Sequence, residues 1–270
     1  MLKALVLDWA GTVVDHGSRA PMGAFVRAFA HFGVAVGIAD ARGPMGMAKR
    51  DHIAALMALP HVATAWQAAQ GGAPDEAAID RLLAVFEPMN IAAIRDHADI
   101  IPGALEAIAW ARARGMGIGS TTGYTRPIMA ELMPLAAAAG YVPDCVVCAG
   151  DLPEGRPSPL MMWHAMAALR AWPAHAVVKV DDTPPGIGEG INAGTWTVGL
   201  ALTGNICGLS APELAALPEA DRAAIRTRAG VEMRAAGADL VIDSIADLPV
   251  ALAEIEARLA RGGRPGTSAR

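Results

Sequence analysis

A chain of 270 residues, 53% hydrophobic and 18% charged, has the length for one large α/β domain or for a core with a smaller inserted unit, and the composition of a compact protein with a large buried core. The net charge of −5 speaks against non-specific nucleic-acid binding, which needs a basic surface, so an anionic ligand has to be held by local positive groups. No uncharged stretch approaches the roughly 20 residues that cross a bilayer, and the opening apolar run is broken by Asp8 too early for a signal peptide; a cytoplasmic protein without membrane segments is expected.

In chain order, the first apolar run is Ala4–Leu7, read as a strand that ends at Asp8. A long segment from about Ser18 to His97 follows with no strand pattern. It carries helical periodicity over Pro21–Phe32, Ala48–Leu59 and Pro74–Ile94. A plain crossover between parallel strands needs about a dozen residues or a little more, so this segment reads as a helical cap over the carboxyl end of the first strand. Then come a helix over Pro102–Arg114, a strand over Met116–Gly119, a helix over Thr125–Ala139 and a strand over Cys145–Cys148. A helix over Ser158–Leu169 and strands over Val177–Val180, Thr195–Leu200 and Leu240–Ile242 lead to a final helix over Ile245–Ala260. The alternation indicates an α/β fold, a Rossmann-like parallel sheet core with the cap inserted into it. The expected division is a core of residues 1–17 and 98–260, a cap of residues 18–97, and a Gly-rich, disordered tail of residues 261–270.

Cys145 and Cys148 have C-x-x-C spacing, but residues three apart on a strand point to opposite faces, and no second pair exists to complete a zinc site. They read as buried strand cysteines in a reducing compartment.

In parallel sheets ligands bind at the carboxyl ends of the strands, and several strand ends here carry chemistry. Asp8 ends the first strand and is followed by Trp9-Ala10-Gly11-Thr12, where Gly11 permits a tight turn. Ser120-Thr121-Thr122-Gly123 offers hydroxyls and amides ahead of a helix, a cradle for an anion. Arg156, after the third strand, has a guanidinium able to grip oxyanions bidentately. Asp181-Asp182, after the fourth, are adjacent carboxylates whose repulsion a hard cation such as Mg²⁺ relieves. Alone, Asp8 reads equally as a helix cap and Asp181-Asp182 as a solvated turn; their coincidence on neighbouring strand ends favours one site.

This set of Asp8-Trp9-Ala10-Gly11-Thr12, Thr122, Arg156 and Asp181-Asp182 resembles the four motifs of the haloacid dehalogenase superfamily. The resemblance implies an aspartyl-phosphate formed at Asp8, with Mg²⁺ held by Asp8 and the last acidic pair. Phosphatases of that superfamily carry a second Asp two residues after the nucleophile to protonate an oxygen leaving group; here that position is Ala10, which cannot.

A second feature is Met45-Gly46-Met47-Ala48-Lys49-Arg50-Asp51-His52 within the cap segment. Burial and the neighbouring Arg50 would both depress the pKa of Lys49, and a neutral lysine condenses with aldehydes to give an iminium electron sink. A surface lysine on a helix and a helix-face histidine are the plain readings of Lys49 and His52. Together with Asp8–Thr12 and Ser120–Tyr124, this segment resembles the phosphonoacetaldehyde hydrolase (phosphonatase) family over about residues 8–243. The resemblance implies hydrolysis of a C–P bond through a Schiff base on Lys49, with His52 as a proton relay. It implies Met45, Gly46 and Tyr124 at the substrate, Thr122 and Arg156 on phosphate, and Mg²⁺ on Asp8, the Ala10 carbonyl, Asp182 and, less securely, Asp181. Some relatives carry an Asp at the position of Gly186, and a Cys at the position of Ser18. A homodimer is the implied assembly. The competing expectations are a phosphate-monoester phosphatase of the same fold, disfavoured by Ala10, and a non-catalytic phospho-ligand-binding protein, disfavoured by the presence of Asp8 and Asp182.

Overall fold

The computed structural model describes residues 1–266. Its six strands are β1 (Ala4–Leu7), β2 (Gly117–Thr125), β3 (Cys145–Ala149), β4 (Val177–Asp181), β5 (Trp196–Leu200) and β6 (Leu240–Ile242), all parallel in the order β3-β2-β1-β4-β5-β6. The central strands β1, β4 and β5 are buried along their whole length, as apolar runs covered by helices on both faces must be. The strand order reverses between β1 and β4, where an open sheet leaves a crevice at its carboxyl edge.

Between β1 and the helix α6 (Ala104–Arg112) the chain forms helices α1 (Ala20–His31), α2 (Ile38–Arg42), α3 (Lys49–Met57), α4 (Pro60–Gln70) and α5 (Glu76–Ile94), with no strand among the described residues. Helix α4 and the short α2 are additions to the three helices expected there. The two connections to this segment run beside each other: Ile101 donates its N–H to the Val13 carbonyl at 2.8 Å, Asp15 to that of Asp99 at 3.1 Å, and Val14 bridges Ile100. One apolar cluster runs from Leu5, Leu7 and Trp9 at β1 into Phe25, Phe29 and Phe86 of α1 and α5, so the helices are packed onto the sheet's edge.

The remaining helices are α7 (Arg126–Ala138), α8 (Leu160–Ala168), α9 (Pro184–Asn192), α10 (Ala211–Ala216), α11 (Glu219–Ala235) and α12 (Leu248–Ala260). Helices α9 and α11 escape a reading by periodicity. In α9 the sequence Pro-Pro-Gly-Ile-Gly-Glu-Gly-Ile-Asn has poor helix propensity, and the helix forms because Thr183 caps its start and Ile187 anchors it in the core. In α11 only Ala229, Gly230 and Met233 are buried, too few for an apolar stripe. β2 also runs past its expected end, with an irregularity in its pairing to β3 between Thr122 and Thr125. Ser120–Gly123 is therefore strand, not loop. Of the tail, residues 261–266 turn back so that Gly266 donates its N–H to Asp239 at 2.7 Å, and residues 267–270 lie outside the described residues. No described helix is long and apolar enough to cross a membrane. Cys145, Cys148 and Cys207 are free thiols.

Helix α9 lies on β4, and its glycines at 186 and 190 are one turn apart, on one face. A Cβ at Gly190 would fall 2.8 Å from the Cβ of Lys179 and 2.7 Å from the Thr197 methyl. This glycine keeps space for a buried lysine under the helix. We predict that Gly190→Val destabilises the fold by about 2 kcal/mol, the scale of core overpacking. Urea unfolding measures this, and an unchanged midpoint would mean that α9 can back away from the sheet.

Candidate active site

The parallel register sets Leu7 beside Val180, and the Asp8 N–H donates to the Val180 carbonyl at 3.0 Å, so Asp8 and Asp181 end neighbouring strands side by side. Asp182 follows, and Gly11 lets its carboxylate in: a Cβ at Gly11, whose φ is +83°, would meet Asp182 Oδ2 at 2.2 Å. Ligand oxygens of Asp8, Asp181 and Asp182 all lie within 4.8 Å of one another, and all three residues are buried. Asp8, Ala10, Ser18, Met45, Gly46, Lys49, Thr122, Tyr124, Arg156, Asp182 and Thr183 are among the residues lining a cleft of about 290 Å³ over this edge. Thus nine of the residues singled out from the sequence (Asp8, Ala10, Met45, Gly46, Lys49, Thr122, Tyr124, Arg156 and Asp182) share one cavity.

Arg156 is the hub. Its Nη2 donates to Asp8 Oδ1 at 2.8 Å and to the Thr121 carbonyl at 2.6 Å, and its Nε donates to Glu189 Oε2 at 3.0 Å. Beneath it, Lys179 Nζ donates to Thr121 Oγ1 at 2.7 Å and lies 3.0 Å from Asp181 Oδ2 and 3.1 Å from Glu189 Oε2. Thr121 completes the circuit by donating to Glu189 at 2.8 Å. These groups are all fully buried. Truncating one member of such a network leaves an unpaired charge, which costs about 3–5 kcal/mol.

Burial and the neighbouring Asp181 raise the Asp8 carboxyl above its usual range, against the pull of Arg156 and Lys179. Asp182 is raised further, by burial and by Asp8 and Asp181; its Oδ2 accepts from the Asn205 N–H at 2.7 Å while its buried Oδ1 has no hydrogen-bond partner. Asp181 differs. Burial would raise it, but Arg156 and Lys179 bring it below the usual carboxylate value, and Thr183 donates to its Oδ1 from backbone and hydroxyl. An orphaned carboxylate oxygen beside two more carboxylates fits a hard cation, whose charge would stabilise the ionised forms of Asp8 and Asp182.

At the other side of the cleft stands Lys49, in the first turn of α3 and 3% exposed. Its Nζ is 4.0 Å from the Met45 sulfur and 5.1 Å from the centre of the Tyr124 ring, and among the described residues no carboxylate lies within ion-pair distance. Burial brings its pKa down to about 8, Arg156 pressing the same way while Asp8 and Asp182 resist. Arg50, the neighbour expected to depress it, instead points outward to Glu76 and Asp80. Gly46 and Gly123 allow this loop to sit on the core: a Cβ at Gly46 would strike Thr183, and one at Gly123 the Met47 carbonyl.

His52 does not join the site. It is wholly buried, stacked on Phe25 with ring centres 3.9 Å apart, and its Nε2 donates to the Ala41 carbonyl at 2.8 Å. Burial and Lys49 lower its pKa to about 2. The helix-face reading of His52 thus describes its place better than a proton relay does. We predict that ¹⁵N NMR finds His52 neutral and protonated on Nε2 from pH 8 down to pH 5, whereas an imidazolium signal in that range would restore the relay.

Three residues of the site were not singled out from sequence. Lys179 interrupts the apolar strand two residues before Asp181, so period-2 alternation already placed both side chains on one face. Glu189 gave no such signal. Asn205 is distant in sequence: besides its N–H to Asp182, its Oδ1 accepts from Arg42 Nη1 at 3.0 Å and its Nδ2 donates to the Arg42 carbonyl at 3.1 Å, tying α2 to the site.

Residues 2–194 match the model of the haloacid dehalogenase-like hydrolases. The chain is 54% identical to the phosphonoacetaldehyde hydrolase of Paraburkholderia phytofirmans over 98% of its own length and 99% of that protein. It is 46% identical to that of Nitratidesulfovibrio vulgaris, over 98% and 94% of the two chains. Its structure superposes with a TM-score of 0.96 on a phosphonoacetaldehyde hydrolase-like protein from Oleispira antarctica, at 39% identity and covering 98% and 96% of the two chains. A β-phosphoglucomutase from Clostridium difficile shares the fold alone, with a TM-score of 0.70 at 15% identity. With Lys49 and Asp8 facing one cleft and Ala10 beside them, the chain belongs to the phosphonoacetaldehyde hydrolases within the haloacid dehalogenase-like hydrolases.

Proposed function

We propose that this chain hydrolyses phosphonoacetaldehyde to acetaldehyde and phosphate, with Lys49 acting on the aldehyde and Asp8 on phosphorus. One observation carries the assignment of roles: a buried, unpaired lysine with a pKa near 8 shares a cleft with an Arg-held aspartate, while the position of an acid for an oxygen leaving group is alanine.

In this reading the neutral Lys49 amine adds to the aldehyde carbon, and the resulting carbinolamine takes up one proton from solvent and loses water, leaving a protonated imine. An oxygen of Asp8 then attacks phosphorus, the C–P bond breaks, and its electron pair passes into the iminium to give an enamine on Lys49. No proton is needed on the departing carbon at that moment, which suits Ala10. The enamine takes up a proton at carbon, and water releases acetaldehyde from Lys49 and phosphate from Asp8. Arg156 and Thr122 hold the phosphonate oxygens; Met45, Gly46 and Tyr124 enclose the aldehyde end. Mg²⁺ is the proposed cation, held by Asp8 and Asp182 with Asp181 beside them and the Ala10 carbonyl at the cleft; bound there it supplies charge that lets one anion approach another. Residues 18–97 serve as a cap over a core of residues 1–17 and 98–260, excluding water while the imine forms, and the working unit is a homodimer.

Borohydride added with acetaldehyde is expected to fix an ethyl group on Lys49, read by peptide mass spectrometry, and Lys49→Arg is expected to lose both the adduct and turnover, by roughly 10³-fold or more. Adduct-free protein, or full activity of Lys49→Arg, would favour the phosphate-ester reading. Because the amine must be neutral, the trapping rate should rise with pH through about 8. Asp8 and Asp182 are the groups that hold the Lys49 pKa up. Adding Mg²⁺, which neutralises them, should therefore move that limb to lower pH; an unchanged limb counts against a cation between those carboxylates. Light scattering should give twice the mass of one chain, and a monomer would remove the dimer from this reading.

A further inference from the structure

Arg42 ends α2, ahead of Lys49 in the chain, and its side chain leaves the inserted helices for the core. Its Nη1 donates to the Gly17 carbonyl at 3.1 Å, to the Asn205 carbonyl at 2.8 Å and to Asn205 Oδ1 at 3.0 Å, and its Nη2 donates to the Gly208 carbonyl at 3.3 Å. The Arg42 carbonyl receives Asn205 Nδ2 at 3.1 Å. The surface that takes the guanidinium is shaped for it. Gly208 has a φ of +69°, and a Cβ there would fall 2.8 Å from Arg42 Cζ. Every acceptor in these bonds is uncharged, whereas an arginine placed for charge pairing would hold a carboxylate. This cation instead bridges main-chain and amide oxygens of two core segments. The pairs Arg19–Glu213 and Arg95–Glu131 also cross from the inserted segment to the core, but they are exposed ion pairs of small worth.

Two bonds carry this hold on to Lys49. The Met45 N–H donates to the Arg42 carbonyl at 3.2 Å, fixing the start of the loop that leads past Gly46 into α3. His52 Nε2 donates to the Ala41 carbonyl at 2.8 Å, tying α3 to α2 one turn beyond Lys49. We infer that Arg42 is a positioning residue for the reaction at Lys49: its guanidinium clamps α2 to Gly17 and to the loop of residues 203–208, and α2 in turn holds α3 so that the Lys49 amine stays in the water-poor cleft opposite Asp8. Arg42 does not line that cleft, and it acts through α2 and α3. Releasing it lets water in from the side of the inserted helices. Burial is the first cause of the lowered Lys49 pKa, so that cause weakens when the clamp opens.

The part played by Lys49 rests on the reaction proposed above, and the experiment separates the two. Hydrogen exchange read by mass spectrometry is recorded for wild type, Arg42→Lys and Arg42→Met, with the pH dependence of borohydride trapping of acetaldehyde and with kcat and KM for phosphonoacetaldehyde. Methionine keeps an apolar stem and removes every donor; lysine keeps the charge, but one ammonium lacks the fork that spans these acceptors. In Arg42→Met the amides of residues 38–57 should exchange about 10-fold faster, with those of β1 and β4 unchanged, as a local opening requires. The trapping limb should move from about 8 toward the roughly 10.4 of a solvated lysine, because Asp8, Asp182 and Arg156 still face the amine and only its burial is relieved. The same variant should lose about 10-fold in kcat/KM, and Arg42→Lys should lie between it and wild type in all three readouts. Wild-type exchange at residues 38–57 in Arg42→Met overturns the clamp. So does equal acceleration in β1 and β4, which makes Arg42 a contributor to global stability alone. Faster exchange with an unmoved limb overturns the positioning of Lys49. If Arg42→Met does not fold, Arg42→Lys decides, and wild-type exchange with an unmoved limb there overturns the inference. If wild type forms no adduct while Arg42→Met still frees residues 38–57, the clamp stands and the proposed reaction at Lys49 fails.

Discussion

Everything at the carboxyl edge of this sheet follows from setting β1 and β4 in parallel register with Leu7 opposite Val180. That pairing brings Asp8 and Asp181 to adjacent strand ends, and the chain's next step adds Asp182. Three carboxylates at low exposure repel one another and lose their hydration, so the surrounding structure has to compensate them. Arg156 and Lys179 do so from below and from the side. The arrangement is unequal: the two cations secure Asp181, whereas Asp182 is left raised and with an open oxygen. An anionic group at Asp8 is thus set next to a place where positive charge is wanted.

The helices inserted between β1 and α6 bring the opposite kind of group. Lys49 is placed where water is scarce, aromatic rings stand within about 6 Å, and no acid pairs with it, which lowers the cost of losing its proton. The backbone of the same loop reaches Thr183 and β2 only because Gly46 and Gly123 lack side chains. The cleft therefore combines an amine poised to be neutral with a carboxylate poised to be ionised once a cation is near. These two demands, made by one substrate with an aldehyde at one end and a phosphonate at the other, are met by different layers of the fold.

Much of this was legible in the sequence, for physical reasons that can be named. Strands that are buried on both faces write themselves as largely apolar runs, so β1 and β4 could be located, and with them Asp8 and Asp181-Asp182 at their ends. Lys49 was marked by its neighbour Arg50 and by the resemblance of its segment. What stayed hidden depends on tertiary contact. Helix α9 contradicts its own propensities and exists because Thr183 caps it and Ile187 is buried. Glu189 looks like a surface residue of a helix until the fold turns it toward Arg156. His52 has the composition of a proton relay, but stacking on Phe25 and a carbonyl on Nε2 hold it away from the cleft. Arg50 follows Lys49 in sequence, yet the helix turns it to solvent, so burial, not a neighbouring cation in the chain, is the main cause of the lowered lysine.

The bonds of Asn205 carry a consequence beyond their geometry. One residue gives its backbone N–H to Asp182 and its side chain to Arg42 of α2, so holding that helix down and fixing that carboxylate draw on the same ordered loop. By thermodynamic linkage the two processes share a coupling free energy with a single value read in both directions. Whatever tightens the carboxylate's place also tightens the helix, by the same factor. A change that loosens Asn205 at one of these contacts therefore bears on the other as well.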